Sequence, residues 1–165
     1  MTDTTETKAG PMQAGLILPG SGPDGEGLGC VDFDTAFMRT VKPEPGDIDQ
    51  MGHVNNVVYL RWVQDIATTH WFSMAPDSMA HVCLFVVLKH TIEYRSPIEP
   101  GQSVEVRTWL GNAQGPRFGR HVDIRTPGAK RYSARAETSW CFIDAETRRP
   151  KRVSQDVLDV FGVPG

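Results

Sequence analysis

The stretch Asp47-Ile-Asp-Gln-Met-Gly-His-Val-Asn-Asn-Val-Val-Tyr59 runs directly into Leu60-Arg-Trp-Val-Gln-Asp-Ile-Ala-Thr-Thr-His-Trp-Phe72. Tyr59, Trp62, Val63, Ile66, Ala67 and His70 recur at helical spacing, while Arg61, Gln64, Asp65 and Thr68 fall on the other side, so the second part reads as an amphipathic helix. Asn55 or Asn56 can cap its start. Ala75-Pro76 ends it, because the residue before a proline is driven out of the helical region. The many large apolar groups predict a helix wrapped by a sheet. The seam before the helix crowds Asp47, Asp49, His53, Asn55 and Asn56 together. A helix N-terminus exposes unpaired N–H groups and the positive end of the helix dipole. A carboxylate there can attack a carbonyl that those amides polarise, or aim water at it. The seam is therefore the candidate active site.

Outside the helix the pattern is β. Phe33 to Val41 is predicted as a first strand, closed by Lys42-Pro-Glu-Pro-Gly46. Val82 to Tyr94 has a nearly continuous apolar start, which predicts a long, centrally buried strand. Val104, Val106 and Thr108 alternate with polar neighbours in a third strand. Phe118, Val122 and Ile124 share one face of a fourth, and Tyr132, Ala134, Ala136, Thr138, Trp140 and Phe142 alternate in a fifth. Val157, Leu158, Val160 and Phe161 suit a last helical turn. The expected class is α+β: a five-stranded, mainly antiparallel sheet around one long central helix. One helix cannot cover such a sheet, so the open flank predicts a homodimer or homotetramer formed through a sheet edge or the helix side.

The 165 residues fit one domain. Residues 1–29 hold seven Gly and three Pro and read as a flexible leader, with Leu16-Ile17-Leu18 as its apolar patch, ahead of a single domain over 30–165. A net charge of -3 argues against nucleic-acid binding by phosphate neutralisation. Cys30, Cys83 and Cys141 are widely spaced and suggest neither a disulfide framework nor a metal site, which suits a reducing cytoplasm. The start of the chain is polar and acidic, unlike a secretory signal. The longest apolar run, Val82 to Leu88, is too short to span a membrane.

The spacing Asp49-x-x-Gly52-His53-Val-Asn55-Asn56-x-x-Tyr59, followed by Trp62, resembles hotdog-fold acyl thioesterases. It is most similar to the 4-hydroxybenzoyl-CoA thioesterase group and its bacterial acyl-CoA relatives, and is also similar to plant acyl-ACP thioesterases with their His-Val-Asn-Asn segment. The resemblance spans about residues 32–162 and implies a hotdog fold and hydrolysis of an acyl-CoA or acyl carrier protein thioester. It implies no bound cofactor beyond the coenzyme A of the substrate. The position of Asp49 implies a nucleophile or a general base on water. His53 matches an active-site histidine of the plant enzymes, although many benzoyl-type relatives are apolar there. Met51 stands where the plant enzymes have asparagine, and Gln64 where many bacterial relatives have glutamate; Asp65 beside it is a backup acid.

Each position also has a plainer reading. Asp49 can cap a turn, as can Asp47, and Gly52 can serve a positive φ. Asn55 and Asn56 can cap the helix, or the amides near Asn56 and Val57 can polarise the thioester carbonyl. Tyr59 and Trp62 can pack the core or line the acyl pocket. Arg117, Arg120, Arg125, Lys130, Arg131 and Arg135 lie close in sequence with Asp123 opposing them. Arg117 and Arg120 in particular are candidates to grip the coenzyme A phosphates, which arginine holds well; the same patch suits an acidic carrier protein. A hydratase or dehydratase on the same fold, or an acyl-binding protein without turnover, remain the alternative functions.

Overall fold

A computed structural model describes residues 36–161. The leader, Cys30 and the start of the predicted first strand lie outside the described residues. Strand β1 (Phe37–Val41) is followed by a 3-10 turn (Pro45–Asp47) and the long helix α1 (Asn56–Met74). A short helix α2 (Asp77–Ala80) leads to β2 (Cys83–Tyr94), β3 (Val104–Gln114), β4 (Arg117–Arg125) and β5 (Ala134–Asp144), and α3 (Gln155–Val160) ends the described chain. The strands form one five-stranded sheet in the order β1-β3-β4-β5-β2, and every pair is antiparallel.

The period-two pattern fixes the inner face. Val104, Val106 and Thr108 of β3, Val122 and Ile124 of β4, and Ala134, Ala136 and Thr138 of β5 are at most 1% exposed. They meet Val58, Tyr59, Trp62, Val63 and Ile66 from the first half of α1, and the small Ala134 and Ala136 leave room for the helix's aromatic rings. Fully burying each Val or Ile contributes ~1.5–3 kcal/mol. Ala67 and Trp71, one helical face further on, join Leu110, Phe118, Trp140 and Phe142 in a second cluster, which α3 closes with Val157 and Leu158. Ala75 takes an extended ψ of 132° and Pro76 follows, so α1 stops there.

The prediction of a buried central position for Val82 to Tyr94 is corrected. β2 lies at a sheet edge among the described residues. Its apolar run serves two surfaces. Cys83, Phe85 and Val87 pack on the second cluster, while Val86 and Leu88 are 40% and 49% exposed. The register shifts between Val87 and Lys89, a bulge that exchanges the faces. Ile92 beyond it therefore still packs on the first cluster. Phe161 follows α3 and stacks edge-on against His70.

Candidate active site

The loop between β1 and α1 is built by hydrogen bonds from its own residues. Asp47 is 5% exposed; its Oδ2 accepts from the Glu44 amide at 2.9 Å and its Oδ1 from Arg61 Nη2 at 2.8 Å. Burial by itself raises the Asp47 pKa, but the Glu44 amide and Arg61 outweigh it and hold the carboxyl below its ordinary value. Asp47 is thus tied to the loop, as its capping reading expected. The Asn55 amide donates to the Asp47 carbonyl at 2.8 Å, and the Val54 amide to Ile98 at 2.9 Å. An isolated bridge between Ile48 and Val54 closes the loop's neck.

Within that neck Asp49 caps its own turn. Its Oδ1 accepts from the Met51 amide at 2.8 Å and from the His53 amide at 3.4 Å. Its own amide donates to the His53 carbonyl at 2.8 Å, and the Gly52 amide donates to the Asp49 carbonyl at 3.1 Å. Gly52 has φ +79°, and a Cβ there would meet nothing within 4 Å; glycine is needed for the left-handed backbone, not for space. The turn-capping reading of Asp49 holds. Oδ1 is held by the turn, and Oδ2 has no hydrogen-bond partner among the described residues. The carboxylate is half-buried, as is His53.

The helix start sharpens the expectation for its amides. Asn55 is the N-cap, its Oδ1 accepting from the Val57 amide at 3.1 Å, and the Val58 amide donates to the Asn55 carbonyl at 2.9 Å. The Val57 amide is therefore already engaged. The Asn56 amide has no partner among the described residues and is the donor left over at the helix start. The Asn56 carbonyl accepts from Tyr94 Oη at 3.1 Å, which ties the end of β2 to the site. Tyr59 is 2% exposed, and its hydroxyl accepts from the Ile98 amide at 3.2 Å; burial raises its pKa. Its place is in the core with Trp62. Met51 and Val57, 79% and 68% exposed, give the rim an apolar surface.

The basic patch does not assemble as one surface. Arg117 is exposed at the first residue of β4, and Lys130 and Arg131 are exposed beyond its far end. Arg125 and Arg135 are buried against Asp123, at 2.6 and 3.5 Å. Arg120 falls on the inner face of β4 and is 4% exposed; it cannot grip a phosphate in solvent. Its position follows from the same alternation that buries Phe118, Val122 and Ile124, so the period-two pattern held a signal for it.

Two cavities flank α1. One, about 410 Å³, lies along its first half and is lined by Arg39, Lys42 and Arg61 together with Glu44, Asp47 and Asp65; its charges balance, so it makes no anion trap. Asp65, the backup acid, is exposed there. The other, about 220 Å³, lies along the second half between Ala67, Trp71, Phe85, Phe118, Arg120 and Trp140. Neither is lined by Asp49. Among the described residues no group of His, Cys, Asp and Glu side chains could hold a metal ion, and no helix is long and apolar enough to cross a membrane.

Residues 43–161 match the thioesterase-like superfamily. The chain belongs to that superfamily. Membership places it among thioester hydrolases, on the hotdog fold. No curated protein matches its sequence. Solved structures of similar fold include a thioesterase of Thermus thermophilus complexed with coenzyme A and zinc, 20% identical, with a TM-score of 0.65 over 75% of this chain and 90% of that one. A probable thioesterase of Escherichia coli is 22% identical, with a TM-score of 0.66 over 76% and 96% of the two chains. A 1,4-dihydroxy-2-naphthoyl-CoA thioesterase of Synechocystis is 17% identical, with a TM-score of 0.66 over 76% and 95%.

Proposed function

We propose that this thioesterase hydrolyses an acyl thioester of coenzyme A or of a carrier-bound pantetheine, with Asp49 as the catalytic carboxylate. The observation that carries the reading is the division of labour within Asp49. One oxygen is fixed by the Met51 and His53 amides while the other stays available, on the loop that leads into an α1 start whose Asn56 amide is unpartnered among the described residues. A base aimed by its own turn loses little entropy on meeting the substrate.

In the general-base route, Oδ2 takes a proton from a water molecule as its oxygen bonds to the thioester carbon. The Asn56 amide and the positive end of α1 stabilise the resulting oxyanion. Collapse re-forms the carbonyl, breaks the C–S bond and expels the thiolate, which takes the proton back from Asp49. In the nucleophilic route, Oδ2 itself bonds to the carbon, the thiolate leaves, and water then cleaves the acyl anhydride. His53 flanks the same turn and serves to orient the carboxylate or the thioester, and Gly52 leaves the approach bare. The substrate enters between two copies of the chain; the free β2 edge and its exposed Val86 and Leu88 support pairing there. Free thiols at Cys83 and Cys141 suit a reducing cytoplasm.

A thiol-release screen over short, medium, long and aromatic acyl-CoAs, repeated with acylated carrier protein, tests this reading. Asp49→Asn that folds and still releases thiol at the parent rate on the best substrate would end the assignment of Asp49.

A further inference from the structure

The cavity beside the second half of α1 contains a charge without a counter-charge: the Arg120 guanidinium lies 5.6 Å from the centre of the Phe161 ring, and no carboxylate lines the cavity. Arg120 Nη1 donates to His70 Nδ1 at 3.1 Å and to Thr108 Oγ1 at 3.0 Å. Both acceptors are neutral: burial first, and then the charge of Arg120, bring His70 down to about 2. Arg120 Nε and Nη2 have no hydrogen-bond partner, and no carboxylate pairs with them, among the described residues. The protein treats its other buried arginines on β4 and β5 differently, since Arg125 and Arg135 share Asp123. Burial lowers the Arg120 pKa to about 9, so the group is still a cation at neutral pH.

Trp140 also lines this cavity. Trp140 is 8% exposed, and its Nε1 is buried without a partner among the described residues. A buried charge without a counter-charge is costly to hold. The remaining walls are mainly Trp71, Phe85, Phe118 and Phe161; Gln64 and Thr68 add neutral acceptor oxygens, and no carboxylate lines the cavity. The space of about 220 Å³ equals roughly seven waters at ~30 Å³ each. A planar anion with two oxygens fits a guanidinium fork, and an apolar body fits the rings. The cavity begins at Gln64 and continues past Trp71, ~12–22 Å along the helix from Asn56 at ~1.5 Å per residue. It is thus separate from the Asp49 turn of the same chain.

We propose that this cavity binds a compact apolar carboxylate, its oxygens on Arg120 and its body among Trp71, Phe85, Phe118 and Trp140. The carboxylate can arrive as a free acid or as the far end of an acyl group, and the site does not require Asp49 or hydrolysis.

The test titrates the full chain with benzoate, naphthoate and hexanoate, each beside its neutral amide, by calorimetry and by the fluorescence of the lining tryptophans. At least one acid should bind about ten-fold or more tightly than its amide, as a charge-assisted pair requires. Arg120→Met should abolish that preference. The preferred acid should raise the melting temperature of the parent and not that of Arg120→Met. If Arg120→Met does not fold, Arg120→Lys keeps the charge without the fork and should weaken the acid. Equal binding of every acid and its amide, meaning that water fills the cavity, overturns the proposal; so does an acid preference that survives the loss of Arg120. Thiol release from ω-carboxylated and ω-methyl acyl-CoAs then separates the sources: a preference for the carboxylated thioester that Arg120→Met removes assigns the acyl end, and acid binding without it assigns a free acid. Asp49→Asn should leave acid binding unchanged, so failure of the cavity site and failure of hydrolysis are distinguishable.

Discussion

The two ends of α1 solve opposite problems with polar groups. At its start, carboxylates and amides sit in a partly wet loop where nearly every group has a partner, and what stands out is the leftover capacity: one oxygen of Asp49 and the amide of Asn56. In its second half, His70 and Arg120 sit among Phe37, Phe161 and Trp71, where the surroundings are mostly aromatic and what stands out is a charge. Spare capacity near solvent costs little, because water can occupy it. The same shortfall in the core is expensive. The first end therefore suits chemistry on a substrate that comes and goes, and the second suits a ligand that replaces missing protein groups.

The comparison breaks most visibly at Asp49. Asp49→Asn keeps an oxygen for the Met51 amide but loses the base, so kcat should fall ~10²–10⁴-fold with little change in the melting curve; stopped-flow thiol release and calorimetry on one preparation check both. The next largest effect belongs to the buried end. His70 is neutral in the fold, with its pKa down at about 2, whereas the unfolded imidazole titrates near 6.5. The unfolded state therefore binds more protons, and stability is lost as pH falls below 6.5. By pH 5 the loss from this residue is ~2 kcal/mol. Denaturant titrations at pH 7.5 and 5 should show a smaller difference for His70→Gln, which keeps an acceptor for Arg120, although His90 and His121, also lowered by burial, keep part of the slope.

Tyr59→Phe separates packing from substrate contact. It strands the Ile98 amide and should cost ~1.5 kcal/mol of stability, with KM unchanged; a large rise in KM instead would return Tyr59 to the acyl pocket. Asn55→Ala is the smallest test. It removes the N-cap for ~1 kcal/mol and frees the Val57 amide, so urea midpoints should drop slightly while kcat holds or rises.

Much of this was legible in local pattern. The period of 3.6 placed Trp62, Val63 and Ile66 inside, and the period of two placed Val104, Val122 and Ala136 opposite them, because burial obeys those periods whatever the partner. A cap from Asn55 or Asn56 and the Gly52 turn were legible for the same reason: each satisfies a need of its own few residues; the structure chose Asn55. The edge position of β2 was not, since a continuous apolar run describes a strand packed on both faces and equally one packed on a single face with Val86 and Leu88 left outward. The cluster of arginines misled because nearness in sequence along a strand alternates faces, so Arg117 reached solvent while Arg120 turned to the core.

The sequence by itself determined the helix, the loop that carries Asp49 and the inward faces of β3, β4 and β5, since these depend on φ, ψ and side-chain period within short reach. Tertiary structure alone decided which amide at the helix start was left over, which arginines found Asp123 and which did not. Those outcomes depend on atoms distant along the chain meeting within hydrogen-bond range, and no local period encodes that.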